Sequence, residues 1–257
     1  MEKWRVLPFN RFNAFENMAI DEAIFKESQK MDMPPTLRFY SWERDTVSMG
    51  YFQDVHREVN LDYCRENCID VVRRPTGGKA VLHENDLTYS VVARENNPHF
   101  SSDIMETYRT ISECLIGGLS RIGIEAYMMK SGRRYEKGVM DACCFSVPSQ
   151  YELLVKERKI CGSAQVRAKG AFLQHGSILI DTDPEHTCSA IIIGGSNAEE
   201  SMEKFKASVT SIRENIGDGF GFTVSELCEA ISETFEKRLH VQLVSGEVTR
   251  EEESLKA

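Results

Sequence analysis

The sequence predicts an α+β fold, a mixed, mainly antiparallel sheet flanked by helices. Three strand-like segments, 151–155, 159–167 and 171–181, are separated only by Lys156-Glu-Arg158 and Ala168-Lys-Gly170, the spacing of an antiparallel meander. Two other segments repeat apolar residues three or four apart, Ile104, Tyr108, Ile111, Leu115 and Leu119 in one, Val224, Leu227, Ile231 and Phe235 in the other. That period gives helices with an apolar face to lay on a sheet.

Taken in order, Asn13 with Glu16 three residues on opens a first helix over 14–30. Leu37 to Trp42 and Thr46 to Phe52 are rich in aromatic and β-branched residues, and Glu43-Arg-Asp45 between them predicts a hairpin. A short helix near 59–67 precedes a strand at 69–73, the tight turn Pro75-Thr-Gly-Gly-Lys79, and strands at 80–82 and 87–93. Ser102 opens the most regular helix, which ends near Gly123. A strand at 124–129 and a basic loop at 130–140 lead into the meander. A helical stretch at 201–214, a helix boxed by Thr223 and Glu226, and a strand at 240–244 follow. The organisation is one domain over 1–249 with a charged tail, 250–257, expected to fray.

Composition excludes several classes. The 257 residues carry 31 Lys+Arg against 40 Asp+Glu, a net charge of −9, which leaves no broad basic surface for nucleic acid. The longest apolar stretches fall short of the ~18 residues that span a bilayer, so no membrane association is expected. The first residues lack an apolar core and cleavage site, and the expected location is the cytoplasm. There the eight cysteines should be thiols, and no ligand set for a metal is evident.

Three segments hold candidate chemistry. In Arg73-Arg-Pro-Thr-Gly-Gly-Lys79, running on to His83, paired glycines permit close backbone approach to a ligand beside the cations Arg74 and Lys79. Cys143-Cys144 follows a basic loop, where a nearby cation favours thiolate, and at most one of two adjacent side chains faces a pocket. Lys159 begins a strand whose small residues Gly162, Ser163 and Ala164 leave room for a substrate, and His175 interrupts the next, apolar strand. Each has an ordinary explanation when taken alone: a solvated hairpin turn, a buried thiol, an exposed turn lysine, a hydrogen-bonded structural histidine.

Together, these segments resemble the superfamily of lipoate-protein ligase A, lipoyl(octanoyl) transferase and biotin-protein ligase. The resemblance runs from Trp4 to about Val244 and includes Glu16-Asn-Met-Ala-Ile-Asp-Glu22, Leu37-Arg-Phe-Tyr-Ser-Trp42, Met49-Gly-Tyr-Phe-Gln53 and Arg158-Lys-Ile-Cys-Gly-Ser-Ala164. Cys144-Phe with Pro148-Ser149 and Tyr151-Glu-Leu153 is most similar to the LipM type of octanoyltransferase. The resemblance implies the biotin/lipoate-protein ligase catalytic fold, with Cys144 as acyl-accepting nucleophile and Lys159 as the cation that lowers its pKa. Arg74, Gly77, Gly78, Lys79 and His83 then border the acyl pocket, with Gly162, Ser163 and Ala164 opposite and His175 nearby. Lys79 stands where this subgroup often has Arg, which removes any bidentate contact there.

The implied reaction takes octanoyl from acyl carrier protein, through a Cys144 thioester, to a lysine of a lipoyl domain such as glycine-cleavage H protein or an E2 subunit. The thioester already stores the energy of the amide, so neither ATP nor a metal is expected. The partners are generally acidic, and Lys130, Arg133, Arg134 and Lys137 are the candidate docking cations. Three other readings compete: an ATP-dependent lipoate ligase or the catalytic part of a bipartite one, a LipL-type amidotransferase, and a noncatalytic lipoyl-domain-binding module.

Overall fold

The computed structural model describes residues 1–31, 33–129, 152–193, 197–217 and 221–256. In chain order its elements are β1 (Glu2–Phe12), α1 (Ala14–Ser28), β2 (Thr36–Trp42), β3 (Thr46–Met49), α2 (Val55–Glu58), α3 (Leu61–Glu66), β4 (Asp70–Arg73), β5 (Val81–His83), β6 (Asp86–Arg94), α4 (Ile104–Arg121), β7 (Tyr127–Met128), β8 (Leu153–Val155), β9 (Arg158–Ala168), β10 (Ala171–Leu179), α5 (Pro184–Ala190), α6 (Ala198–Ser208), α7 (Ile212–Ile216), α8 (Val224–Leu239), β11 (Val241–Ser245) and α9 (Arg250–Leu255). A large sheet runs β11-β1-β2-β6-β10-β9-β8-β7, and a small one β4-β3-β5. In the large sheet β1 pairs in parallel with both β11 and β2, and every other neighbouring pair is antiparallel. The α+β class and the mixed, mainly antiparallel sheet are borne out.

Local signals behave as their chemistry requires. Asn13 accepts from the Glu16 amide at 3.0 Å and starts α1, and Thr223 and Glu226 form the reciprocal box that starts α8. The cap of α4 is Asp103, one residue beyond Ser102, accepting from the Met105 and Glu106 amides. The meander forms as β8-β9-β10. The apolar faces of α4 and α8 close one face of the large sheet, burying Trp4, Phe39, Leu87, Leu115, Phe172 and Phe235 in one cluster. Helix α1 covers part of the other face through Ile20, Ile24 and Phe25.

Four expectations are corrected. The hairpin over 37–52 does not form: β2 has both edges taken, by β1 and β6, while β3 crosses to the small sheet and lies between β4 and β5. The strand expected over 124–129 is confined to Tyr127–Met128. The helical stretch at 201–214 breaks into α6 and α7, because the Thr210 amide leaves the helix to donate to the Lys159 carbonyl at 2.9 Å. The segment from Arg250 is not frayed but forms α9, whose Glu252 is fully buried and binds Arg5 through both oxygens, at 2.8 and 2.5 Å.

That pair joins the two ends of the described chain, and removing one partner strands the other charge in the interior. Glu252→Ala is expected to lower the unfolding free energy by about 3 kcal/mol, read by urea denaturation; an unchanged midpoint would show that α9 contributes nothing to stability.

Candidate active site

One face of the large sheet is polar where it meets the small sheet. Arg38, Ser90, His175 and Ala164 stand in register across β2, β6, β10 and β9. The next row holds Tyr40, Thr88, Ser177 and Gly162. Alternation along each strand sends these side chains to the face opposite the helix-covered core.

Two buried networks fill this face. In the first, the Asp21 carboxylate on α1 accepts from Arg38 Nη1 at 2.8 Å, Tyr40 Oη at 2.8 Å and Ser90 Oγ at 2.9 Å, and faces His175 Nδ1 at 3.3 Å. Burial alone would raise its pKa, but the Arg38 guanidinium and His175 outweigh it and hold the carboxyl at about 2. Burial lowers the pKa of His175 despite Asp21, so the ring is neutral. Its Nε2 meets the Thr76 hydroxyl at 2.6 Å. In the second network, Asp86 bonds His83 Nδ1 at 2.7 Å, Thr88 Oγ1 at 3.1 Å and Ser177 Oγ, while His83 Nε2 meets Ser48 Oγ at 2.7 Å. Trp42 stacks on the His83 ring, centroids 4.4 Å apart.

The Gly-Gly turn lies over this face. Arg74, buried, donates to the carbonyls of Ser48, Gly77 and Lys79 at 2.7–2.9 Å and so clamps the turn from within. Gly78 has φ +91°, and a Cβ there would stand 2.7 Å from Arg74 Nη2 and 3.9 Å from the Ala164 Cβ. The turn therefore closes on β9 at Ala164 through backbone alone. A Cβ on Gly77 would meet nothing within 4 Å, so this edge of the turn is open. Lys79 contributes its carbonyl, with the residue itself exposed.

Lys159 is buried, not an exposed turn lysine, and its Nζ donates to Glu152 Oε1. A bulge places it there. Leu154 pairs with Lys159 but Leu153 with Cys161, so Ile160 is an extra residue that reverses the alternation. The lysine thus shares a face with Gly162, where a Cβ would lie 2.7 Å from its Cε and 2.8 Å from its Nζ. The room left by Gly162 is filled by this side chain.

The structure thus brings together Arg74, Gly77, Gly78, Ala164 and His175, with His83 bonded to the same Ser48 that Arg74 reaches. It does not bring Ser163 to them: that hydroxyl meets Tyr89 Oη at 2.7 Å on the core side of the sheet. Cys143, Cys144, Lys130, Arg133, Arg134 and Lys137 lie outside the described residues. Cys161, two residues beyond Lys159 in β9, is a fully buried thiol whose pKa burial pushes up to about 12, away from the thiolate. Among the described residues no group of three or more His, Cys, Asp or Glu is placed to hold a metal ion. None of their helices is long and apolar enough to cross a membrane.

Asp21, Thr76, Asp86 and Glu152 were not singled out from the sequence. Asp21, Thr76 and Glu152 lie within segments quoted above, with no role of their own assigned there, and the alternation of Thr88 and Ser90 with apolar residues along β6 is the local sign of a second buried face that must be hydrogen-bonded.

Residues 13–236 match the lipoyl protein ligase A/B catalytic domain family. The chain belongs to that family. The octanoyltransferase LipM of Clostridioides difficile is 40% identical over 255 residues, covering 99% of this chain and 94% of that protein. LipM of Bacillus anthracis is 38% identical over 255 residues, with 98% and 91% covered. Among solved structures, lipoate-protein ligase A bound with ATP superposes with a TM-score of 0.78 at 30% identity, over 100% of this chain and 93% of that one. The bipartite lipoate protein ligase of Thermoplasma acidophilum gives 0.80 at 28%, over 100% and 91%. The lipoate-protein ligase fold implied by the motifs is thereby shown.

His175 is neutral in the folded protein and titrates at an ordinary 6.5 when unfolded. As pH falls below 6.5 the unfolded chain takes up a proton that the native state refuses, so stability is lost on acidification. Replacing His175 by Asn should flatten this loss between pH 7 and 5 in thermal melts; parallel wild-type and variant profiles would show that the imidazole takes up its proton alike in the folded and the unfolded chain.

Proposed function

We infer that the chain is an octanoyltransferase of lipoate biosynthesis that moves octanoyl from acyl carrier protein to a lysine of a lipoyl-domain protein. The observation that carries this reading is the 38–40% identity to LipM octanoyltransferases along nearly the whole of both chains. The ligase structures share the fold at 28–30% identity, so ATP-dependent ligation is the reading it must be tested against. The proposed setting is the cytoplasm, with no ATP or metal required.

In the proposed reaction Cys144 as thiolate attacks the carrier thioester. A new C–S bond forms, the old one breaks, and the carrier leaves as a thiol after taking a proton. The acceptor's neutral ε-amine then attacks the enzyme thioester, forming the C–N bond of the amide, and its proton goes to the departing Cys144 sulfur. The Gly77–Gly78 backbone and the Lys159 ammonium are the groups offered to the carbonyl oxygen as negative charge develops there. An octanoyl chain in an apolar slot gains about 0.8 kcal/mol per buried methylene.

Intact-protein mass spectrometry with octanoyl carrier protein and no ATP tests the reading directly. Wild type and Cys143→Ser should gain a hydroxylamine-labile octanoyl group that maps to Cys144, and Cys144→Ser should gain none. Acyl-adenylate from ATP and free lipoate, with no octanoyl adduct, would identify a ligase instead.

The arrangement at Lys159 gives a second expectation. A methyl group on Gly162 would displace the ammonium from the buried Glu152, so Gly162→Ala should slow acylation about tenfold per folded molecule and also lower the melting temperature. An unaltered rate would remove Lys159 from the reaction.

A further inference from the structure

Thr76 is completely buried and its hydroxyl is engaged by His175, so it does not touch a substrate. It nevertheless sits directly before Gly77, the open edge of the turn. The direction of its hydrogen bond is fixed by what lies behind it. Asp21 is ionised and accepts only, so His175 Nδ1 must carry the proton. The ring is neutral, so Nε2 has a bare lone pair, and the Thr76 hydroxyl donates to it. Two further bonds hold the turn on the side of β3: Arg74 donates to the Ser48 carbonyl, and the Thr76 carbonyl accepts from the amide of Tyr51, just beyond that strand. The Thr76 hydroxyl instead ties the turn to β10 of the large sheet, beside Ala164 on β9, which Gly78 faces.

We propose that Asp21, His175 and Thr76 form a positioning chain that sets the height of the Gly77–Gly78 backbone over β9 and so determines where the reacting acyl carbonyl is held. The inference rests on the acyl-transfer reading above. Asp21 fixes the tautomer and tilt of His175, His175 fixes Thr76, and Thr76 fixes the turn; none of the three exchanges a proton with substrate. His175 thereby acquires a role different from bordering the acyl chain.

Thr76→Val keeps the shape and removes the donor, and Thr76→Ser keeps the donor. Thr76→Val is expected to lower kcat for octanoyl transfer about 10- to 100-fold with KM for the carrier within about threefold of wild type, and Thr76→Ser to restore kcat to within about threefold. A second measurement does not depend on activity: amide hydrogen exchange at Gly77 and Gly78 should accelerate about tenfold in Thr76→Val and not in Thr76→Ser. Thermal melts of both variants give the folded fraction by which kcat is normalised. Wild-type kcat in Thr76→Val, or equal losses in Val and Ser, would overturn the proposal, as would unchanged exchange in Thr76→Val. If the wild type transfers no octanoyl group, the functional reading falls, and the exchange comparison still decides whether the chain holds the turn.

Discussion

A carboxylate withdrawn from water costs several kcal/mol unless its charge is met in place, and Asp21 is withdrawn completely. Asp21 stands on α1, and its four partners come from three strands: Arg38 and Tyr40 from β2, Ser90 from β6 and His175 from β10. They converge on one group only if α1 lies at a single height across the sheet and the three strands keep one register. A one-residue slip of β2 against β6 would turn Arg38 to the opposite face. The buried charge therefore does what an apolar contact cannot, because dispersion and water release tolerate a sliding interface and a four-way set of hydrogen bonds does not.

The large sheet separates these two kinds of cohesion by face. Toward α4 and α8 the side chains are apolar and buried, with Trp4, Phe100, Phe172 and Phe235 among the residues enclosed. Toward α1 and the small sheet the same strands carry Arg, Tyr, Thr, Ser and His, each with a named partner. The first face supplies most of the burial; the second supplies position. A turn that must hold a reacting group within a few tenths of an ångström belongs on the second, and the Gly-Gly turn is there.

This division also explains what the sequence made legible. The caps at Asn13 and Thr223, the period of α4 and α8, and the short connections of the meander are local, and each was read correctly. The segments around Val47 and Phe39 carry equal strand signals, and nothing local says that their partners lie in different sheets. β1 was concealed by Pro8 and by the charges of Glu2, Lys3 and Arg5, the last of which finds its counter-charge 247 residues along the chain, in α9. In the site, glycines, cations and histidines were visible as a motif, whereas Asp21 looked like any acidic residue on a helix until the sheet beneath it was known.

Lys159 shows how far one extra residue reaches. Without the bulge at Ile160 its ammonium would point into the apolar cluster that holds Ile160 and Cys161. With it, the ammonium crosses to the polar face, where it needs an anion at contact, and Glu152 at the start of the described meander provides one. The choice of Gly162 then follows, because the ammonium occupies the space of a side chain there. An ammonium paired in this way presents a dipole beyond its first neighbours, not a free charge. Its influence on a reacting group is therefore short-ranged, exerted through an N–H aimed from a fixed place, and it falls away with displacement far faster than the field of an unpaired cation.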